Sequence, residues 1–464
     1  IFNGLVKYDT DLSVIGDLAE SWDISQDGLV ITFYLRKGVK WADGVEFTAD
    51  DVMFGYKTII DEKTPTPYKE DFLQVKKAEV LDKYTFRVTY EKPFAPALTS
   101  WGNLVILPKH LLEGKDITKS DFARSPIGMG PYKLNKWTAG QEVILDSNKD
   151  YFEGRPYIDR YIYKVIPDPA TMFLELQAGG VDMMGLTPIQ YTKQTDNDFF
   201  KTNFQKFRYP VFAYTYMGLN LKHPWFKDKR VRQAIAHGID RSEIVDVVLF
   251  GLGSPATGPY VPNTWPYNPN VKKYEYDLEK AKKLLKEAGW EDTNGDGILD
   301  KDSKPFKFTI LTNMGNSLRM NTATIIQWRL AKIGIKVDIR AIEWSTFINE
   351  FIDKRRFQAV ILGWSIGLDP DQYDIWHSSK TKEKEFNFVS YNNPEVDALL
   401  EKGRRTFKIE ERKKAYYKIQ EILADELPYI FLYVPDGTPI VHSRFKGIKP
   451  SPIGISYNLH KWYV

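Results

Sequence analysis

The sequence predicts an α/β protein with more than one compact domain. Its 464 residues are long for one core, since a soft prior of about 150 residues per domain suggests roughly three units. In the second half of the chain, strand-like stretches with a two-residue period follow stretches with the apolar spacing of amphipathic helices. Strands that alternate with helices are typical of α/β domains.

The first recognisable element is a strand, a turn, a strand and a capped helix within residues 19–54. Asp-Gly dipeptides, which favour tight turns, lie on both sides of residues 30–35, whose side chains alternate as in a strand. Thr48 and Asp51 have the spacing of a capping box, so a helix is predicted to begin there. These residues indicate architecture and carry no chemistry.

The second half contains the clearest helix, over residues 277–290, with apolar residues on one side and Lys and Glu on the other. The elements predicted after it are a strand at 306–312, a helix at 322–333, a strand at 335–342, and a helix and a strand within 345–362.

Composition excludes several classes of protein. Lys plus Arg number 64 against 61 Asp plus Glu, and this net charge of +3 does not favour a nucleic-acid partner. The absence of cysteine excludes thiol nucleophiles, thiolate metal sites and disulfides. No run approaches the roughly 18 apolar residues of a membrane-spanning helix, so a soluble chain is expected. It begins at Ile1 without a leader, and we expect a secretion signal or lipid anchor to have been removed.

Three segments resemble one known family. They are residues 19–54, the Gly-Met-Gly-Pro-Tyr loop within 125–132, and residues 220–241. Together they are similar to the peptide-type (dipeptide- and oligopeptide-binding) extracytoplasmic solute-binding proteins of ATP-binding-cassette importers, and most to the oligopeptide-binding members.

This resemblance implies an α/β, two-lobed periplasmic-binding-protein type II fold with an extra subdomain inserted in the first lobe. The first lobe would comprise residues 1–235 and 436–464, with the subdomain at about 5–128, and residues 236–435 would form the second lobe. The ligand cleft would lie between the lobes. Because the chain would cross twice, near 235 and 435, hinge-like closure on the ligand is expected.

The function implied by the resemblance is a receptor that captures extended oligopeptides and delivers them to the permease subunits of an ABC importer. It would act outside the cytoplasm, in a periplasm or at the cell surface through a lipid anchor. No catalysis, cofactor or metal is expected, and a monomer is predicted.

The site residues are also carried over from the family. In relatives, the Trp at the position of Trp364 packs on bound peptide, and an Asp that captures the ligand ammonium often stands at the position of Gly367. Asp369 could take over that role in this sequence, or it could simply cap a turn. The residues expected to line the site are Gly363, Trp364, Gly367, Asp369, Trp344, Asn313, Asn316 and Tyr216.

A second charged group of the family is also missing. Dipeptide-binding relatives carry an Arg just after the strand predicted at 306–312, and Leu311, Thr312 and Asn313 occupy those positions here. The loss of both charged groups favours longer peptides held mainly by main-chain hydrogen bonds.

Other functions remain open. An oligosaccharide receptor of the same fold is the main alternative, since 14 % of the residues are aromatic. A metal-complex receptor is disfavoured because the six His residues show no ligand spacing.

Two short motifs suggest other chemistry. Residues 363–367 spell the Gly-x-Ser-x-Gly motif of serine esterases, with Ser365 as the nucleophile, but Pro370 disfavours the helix that must follow. Residues 292–300 have the alternating oxygen ligands of a calcium loop, although Ser303 stands where a Glu is needed. A solvated acidic turn is the other interpretation of that segment.

Overall fold

The computed structural model describes residues 1–66 and 68–464, which form two compact units. Unit 1 comprises Ile1–Tyr209, Arg405–Phe407 and Gly437–Val464, and unit 2 comprises Pro210–Arg404 and Lys408–Asp436. Residues 210–235, assigned to the first lobe from the sequence, therefore belong to unit 2. The reason is that the strand Ala213–Leu219 pairs on both sides inside the main sheet of that unit.

Unit 1 begins with a strand pair, Val6–Tyr8 and Val14–Gly16, and an antiparallel four-stranded sheet. The order of strands in the sheet is Ala19–Ile24, Val30–Leu35, Thr85–Tyr90 and Val75–Asp82. The helices that accompany the sheet are Ala49–Ile60, Ala97–Asn103 and Lys109–Leu112, with 3-10 turns at Phe72–Gln74, Ile117–Lys119 and Asp121–Ala123. The capping box predicted at Thr48 and Asp51 is confirmed.

Trp101 is the centre of the core beneath this sheet. Its ring is fully buried and packs edge-on against Phe72 and Phe86, each with ring centroids 5.3 Å away. The indole Nε1 donates to the hydroxyl of Tyr90 at 2.9 Å, so the polar atom of this buried side chain is satisfied.

Two three-stranded sheets complete unit 1. One contains Tyr132–Thr138, Glu142–Ser147 and Arg160–Lys164, and the other contains Met183–Gly185, Pro439–His442 and Phe204–Lys206. Their helical elements are Pro169–Gln177, Gln190–Gln194, Asp198–Asn203 and Leu459–Lys461. The strand Pro439–His442 is central in its sheet, and it ties the end of the chain to unit 1.

Unit 2 is built on a mixed seven-stranded sheet. The order of its strands is Tyr209–Pro210, Tyr429–Gly437, Ala213–Leu219, Ala359–Ser365, Lys307–Asn313 and Lys336–Ile342, with Gly253–Pro255 also paired to Tyr429–Gly437. Lys307–Asn313 runs parallel to both of its neighbours. Hydrophobic clusters cover the two faces of the sheet, as expected for strands buried on both sides.

The helices of unit 2 pack against those faces. They are Lys229–His237, Arg241–Val248, Leu278–Glu287, Ser317–Ala331, Trp344–Thr346, Tyr373–Trp376, Pro394–Arg405 and Ile409–Glu426, with further turns at Pro224–Phe226, Phe347–Ile352 and Ser378–Lys380 and a short hairpin of Asp300–Lys301 and Lys304–Pro305. Asp277 caps the helix Leu278–Glu287 by accepting the Lys280 N–H at 2.9 Å.

Within residues 1–66 and 68–464, none of the helices has the length and apolar character needed to cross a bilayer.

His237 gives the stability of unit 2 a pH dependence. Its ring is 3 % exposed and Nδ1 lies 2.8 Å from the carbonyl oxygen of Glu275. Burial lowers the pKa of His237 below its usual value because desolvation disfavours the charged ring. The unfolded chain therefore binds a proton near pH 6.5 while the folded chain resists it, so the free energy of unfolding falls as the pH drops below about 6.5.

We predict that His237→Asn, which keeps a donor for the Glu275 carbonyl oxygen, reduces this loss of stability between about pH 7 and pH 5. Thermal unfolding of both proteins across that range measures the effect. A residual slope is expected, because burial also lowers the pKa values of His223 and His460. An identical decline in the two proteins would contradict the prediction.

Candidate functional site

The site is positioned by three parallel strands of unit 2. Lys307–Asn313, Lys336–Ile342 and Ala359–Ser365 run in the same direction, so their carboxyl ends lie at one edge of the sheet. Ligands of open α/β sheets bind outside this edge. The segments that follow the three strands contain Asn316, Trp344 and Gly367, and the parallel register therefore gathers the predicted site residues of unit 2 at one face.

Trp364 lies near the end of the strand Ala359–Ser365, beside two phenylalanine rings. Its ring centroid lies 5.4 Å from that of Phe386, in an edge-on arrangement, and 6.0 Å from that of Phe388. The indole Nε1 donates to the hydroxyl of Tyr429 at 3.3 Å. Phe386 is 44 % exposed and Phe388 only 3 %. Trp364 and Phe386 thus form a partly exposed aromatic wall that Phe388 supports from behind.

Arg319 is a charged residue of this face that the sequence analysis missed. Its Nη1 donates to Oδ1 of Asn313 at 2.8 Å. Within the described part of the chain, no carboxylate lies within ion-pair distance of the guanidinium, and desolvation lowers the pKa of Arg319. A half-buried cation without a counter-ion gains most from an incoming anion.

The position of Arg319 could have been inferred from its helix cap. Asn316 caps the helix Ser317–Ala331 by accepting the Arg319 N–H at 3.0 Å. Side chains in a first helical turn point back toward the helix N-terminus, and here that direction leads to the end of the strand Lys307–Asn313. The sequence analysis considered only the positions of Leu311, Thr312 and Asn313 for such an Arg, whereas the guanidinium beside Asn313 comes from a residue six positions further on.

Gly363 leaves room for that guanidinium. A Cβ atom at Gly363 would lie 3.1 Å from the carbonyl oxygen of Tyr214 and 3.3 Å from Nη2 of Arg319. Both distances are shorter than ordinary van der Waals contact, so a larger residue would force its neighbours to shift by a few tenths of an ångström. The structure therefore brings Asn313, Gly363 and Arg319 together.

Asp369 is engaged elsewhere. Its two carboxylate oxygens accept from Nη1 and Nη2 of Arg412 at 2.9 and 2.7 Å, and both side chains are about nine-tenths buried, with exposures of 12 % and 8 %. Arg412 also donates to the carbonyl oxygen of Gly403 at 3.1 Å. This bidentate pair fixes the loop after Trp364, and it leaves Asp369 a positioning role.

The other predicted residues divide between surface and core. Trp344 is 51 % exposed at the strand-end face, and a Cβ at Gly367 would make only an ordinary van der Waals contact, 3.7 Å from the carbonyl oxygen of Asp369. Tyr216, by contrast, is buried and stacks on Tyr429 with ring centroids 3.9 Å apart. Asn316 is occupied as the helix cap, so Tyr216 and Asn316 support the site from behind.

The esterase geometry is absent around Ser365. A nucleophile elbow places the serine directly before a helix, whereas the first helix after Ser365 begins at Tyr373. The nearest downstream histidine in the sequence, His377, has Nδ1 2.8 Å from Oγ of Ser379. The motif at 363–367 is therefore the end of a strand followed by an irregular loop.

The acidic turn at 292–300 uses its side-chain oxygens on its own backbone. Asp292 accepts the N–H groups of Gly295 and Gly297 at 2.8 and 2.9 Å, and Asp296 accepts the N–H of Ile298 at 2.8 Å. The turn leads into the hairpin of unit 2, and these bonds account for its conformation.

The fold and the strand-end face define the class of protein. A mixed α/β chain in two units, with an aromatic and cationic face at the carboxyl ends of parallel strands, has the features of a type II periplasmic binding protein. The chain belongs to the bacterial extracellular solute-binding proteins of family 5, whose middle region matches residues 13–386.

Individual relatives agree with this assignment. The chain is 39 % identical to the oligopeptide-binding protein AppA of Bacillus subtilis over 475 aligned residues, covering 100 % of this chain and 86 % of the relative. The structure of AppA from Bacillus subtilis in complex with a nonapeptide is similar with a TM-score of 0.88 at 37 % identity, covering 100 % of this chain and 93 % of that one.

A further similar structure contains a different ligand. NikZ from Campylobacter jejuni in complex with Ni(L-His) matches with a TM-score of 0.91 at 33 % identity, covering 100 % of this chain and 94 % of that one. The predicted family and the type II periplasmic-binding-protein fold are confirmed by these similarities.

The buried pair of Asp369 and Arg412 predicts a stability effect. Asp369→Asn should lower the free energy of unfolding by about 3–5 kcal/mol, because it leaves the Arg412 charge buried without its partner. Denaturant unfolding followed by circular dichroism measures the loss. Asp338→Asn is the matched control: it breaks an exposed pair with Lys307, whose two side chains are each 47 % exposed, and should cost less than about 1 kcal/mol. Equal effects of the two variants would contradict the structural role.

Proposed function

We propose that this protein is the solute-binding receptor of an ABC importer that captures extended oligopeptides at the strand-end face of unit 2. The observation that carries the proposal is that the ends of neighbouring strands of unit 2 carry two groups suited to a peptide. One is the Arg319 guanidinium, which has no carboxylate partner among the described residues and hydrogen-bonds Asn313, and the other is the aromatic wall of Trp364 and Phe386. A peptide offers both kinds of partner on one molecule: a carboxylate for the cation and apolar side chains for the rings.

The apolar part of the face extends beyond that wall. Met314 follows the strand beside that of Trp364, Trp344 follows the strand beyond it, and the two side chains are 61 % and 51 % exposed. The Met314 N–H donates to the carbonyl oxygen of Ile342 at 2.8 Å, so the two segments are joined by backbone. An extended ligand is favoured over a compact one, because the apolar groups follow the ends of three different strands.

Family relatives support the same ligand class. The Bacillus subtilis relative is an oligopeptide-binding protein, and its structure contains a nonapeptide. We infer that Trp364, Phe386, Trp344, Asn313 and Arg319 contact the peptide and that Gly363 and Gly367 leave room for it. Asp369, Asn316 and Tyr216 hold these groups in place.

The transport cycle follows from this role. The receptor would act outside the cytoplasm as a monomer, close on its ligand by a hinge, and present it to the permease subunits without altering it. The chain passes between the two units at 209/210 and 436/437, and again on both sides of Arg405–Phe407. These connections give a hinge its covalent basis. No chemical conversion and no cofactor is part of the proposal.

The oligosaccharide alternative is weakened by the charge of the face. A neutral sugar would cover the aromatic wall and leave the Arg319 cation without a counter-ion, at a desolvation cost. Native mass spectrometry of the purified protein distinguishes the candidates, because peptides, a sugar ladder and a metal chelate have different mass signatures. Co-purified peptides are the expected result, and a sugar ladder or a metal chelate would overturn the proposal.

We predict that Trp364→Ala weakens peptide binding about 10- to 100-fold, the range expected when a central aromatic side chain of a binding site is truncated. Isothermal titration calorimetry with the co-purified peptides measures the loss. Trp328→Ala is the matched control, because this Trp is 67 % exposed on the helix Ser317–Ala331 and is not part of the aromatic wall. Unchanged affinity in the Trp364 variant would remove this residue from the site.

Arg319→Gln should weaken binding of a peptide with a free carboxyl terminus about tenfold or more, because a charge-assisted contact is lost. The same peptide with an amidated terminus should bind both proteins equally, provided that it has no acidic side chain. Arg340→Gln is the control, since this exposed Arg lies over Phe351, with 5.2 Å between guanidinium carbon and ring centroid. If Arg319→Gln weakened the two peptides by the same factor, the carboxylate assignment would fail.

A further inference from the structure

The segment that carries Phe386 is held by an arginine outside the aromatic wall. Nη2 of Arg355 donates to the carbonyl oxygens of Lys382 and Glu385, the latter at 2.8 Å. Nη1 donates to the carbonyl oxygens of Ile352 and Asp353 at 2.9 and 3.1 Å. One planar guanidinium thus bridges two segments of backbone that are about thirty residues apart in sequence.

The backbone of Arg355 is itself constrained. Its φ angle is +57°, in the left-handed region that non-glycine residues rarely occupy. The Asn220 side chain holds this conformation from the neighbouring strand end, donating to the carbonyl oxygens of Arg355 and Phe357 at 3.3 and 2.8 Å. Residues in such conformations persist where the surroundings determine them, and they are often found near functional sites.

The backbone before and after Phe386 is held by two different sets of hydrogen bonds. On one side is the turn 382–385, closed by the Lys382 N–H donating to the Glu385 carboxylate at 2.6 Å and tied to Arg355. On the other side is Asn387, fully buried, whose Nδ2 donates to the carbonyl oxygens of His377 and Tyr391 at 3.1 and 2.9 Å. Asn387 secures the buried Phe388, whereas the exposed Phe386 depends on the Arg355 side.

We propose that Arg355 is a positioning residue that sets the place of Phe386 against Trp364 and thereby gives the site a preference for aromatic ligand side chains. The proposal rests on the proposed function, because it needs Trp364 to contact the ligand. With the turn held, Trp364 and Phe386 stay in edge-on contact, with ring centroids 5.4 Å apart, and together present one aromatic surface against which a planar ligand side chain can pack. With the turn released, Phe386 loses its position while the buried support of Trp364 by Phe388 remains.

The first test needs no ligand. Arg355→Asn removes the guanidinium, and Asn tolerates the left-handed backbone conformation. Hydrogen exchange of the amides in 382–386 should accelerate about tenfold or more, while those in 387–391 stay unchanged. Arg356→Asn is the matched control: the adjacent Arg356 is exposed and its only close charged partner in the described chain is Glu350, 3.6 Å away. Unchanged exchange in 382–386 of the Arg355 variant would overturn the proposal.

The second test measures selectivity. Wild type and variants are titrated with alanine–serine nonapeptides, one with a single Phe at each position in turn and one without Phe. Wild type should prefer one or more Phe peptides, and Arg355→Asn should lower that preference about threefold or more with a smaller change for the parent peptide. A uniform loss for all peptides would indicate a general structural defect and overturn the proposal.

Arg355→Lys distinguishes the effect of the positive charge from that of the hydrogen bonds that bridge the two backbone segments. A lysine keeps the positive charge but cannot donate to four carbonyl oxygens with a rigid fork, so it should behave like Arg355→Asn in both tests. If Arg355→Lys showed wild-type hydrogen exchange in 382–386 and wild-type selectivity for Phe peptides, the bridging role would be overturned. Failure of the proposed function has a different signature: wild type then binds none of the nonapeptides, and the exchange test still decides whether Arg355 holds the turn.

Discussion

The parallel pairing of Lys307–Asn313 with both of its neighbours is the constraint on which the proposed binding face depends. Parallel strands end at the same edge, so segments far apart in sequence are forced to share one small surface. Since each strand is buried on both faces, a slip of register would move its side chains from one closely packed face to the other, where their sizes and shapes do not fit. The packing of unit 2 and the composition of its binding face are therefore set by the same hydrogen bonds.

Two arginines of unit 2, Arg412 and Arg319, show how burial and pairing determine the role of a charged side chain. Arg412 has a bidentate carboxylate partner and, although desolvation opposes it, the Asp369 charge keeps the pKa of Arg412 raised. Arg319 has only an amide oxygen as a side-chain partner, and burial lowers its pKa. The paired charge of Arg412 fixes a loop. The charge of Arg319 has lost hydration without gaining a counter-ion, and an anion that bound beside it would offset this desolvation cost.

Local sequence signals predicted the elements of this fold well, and side-chain partners poorly. The capping box at Thr48 and the strand at 30–35 rest on interactions within a few residues, which a sequence displays directly. The ion pair of Asp369 with Arg412 spans 43 residues, and no periodicity points to it. Tyr216 was expected in the cleft because oligopeptide-binding relatives carry cleft aromatics at that position, yet an aromatic ring on a central strand is equally suited to stacking in the core, as Tyr216 does on Tyr429. The boundary at 235 failed for a similar reason: only the pairing partners of the strand Ala213–Leu219 show to which unit it belongs.

The residue at position 363 affects the position of the Arg319 side chain. The guanidinium of Arg319 occupies space that a single methyl group on the adjacent strand would contest. A substitution between two uncharged amino acids at that position would displace the cation by a few tenths of an ångström and loosen its hold on Asn313. A change between two uncharged residues at position 363 can therefore alter the position of the Arg319 guanidinium while every ionisable residue around it stays the same.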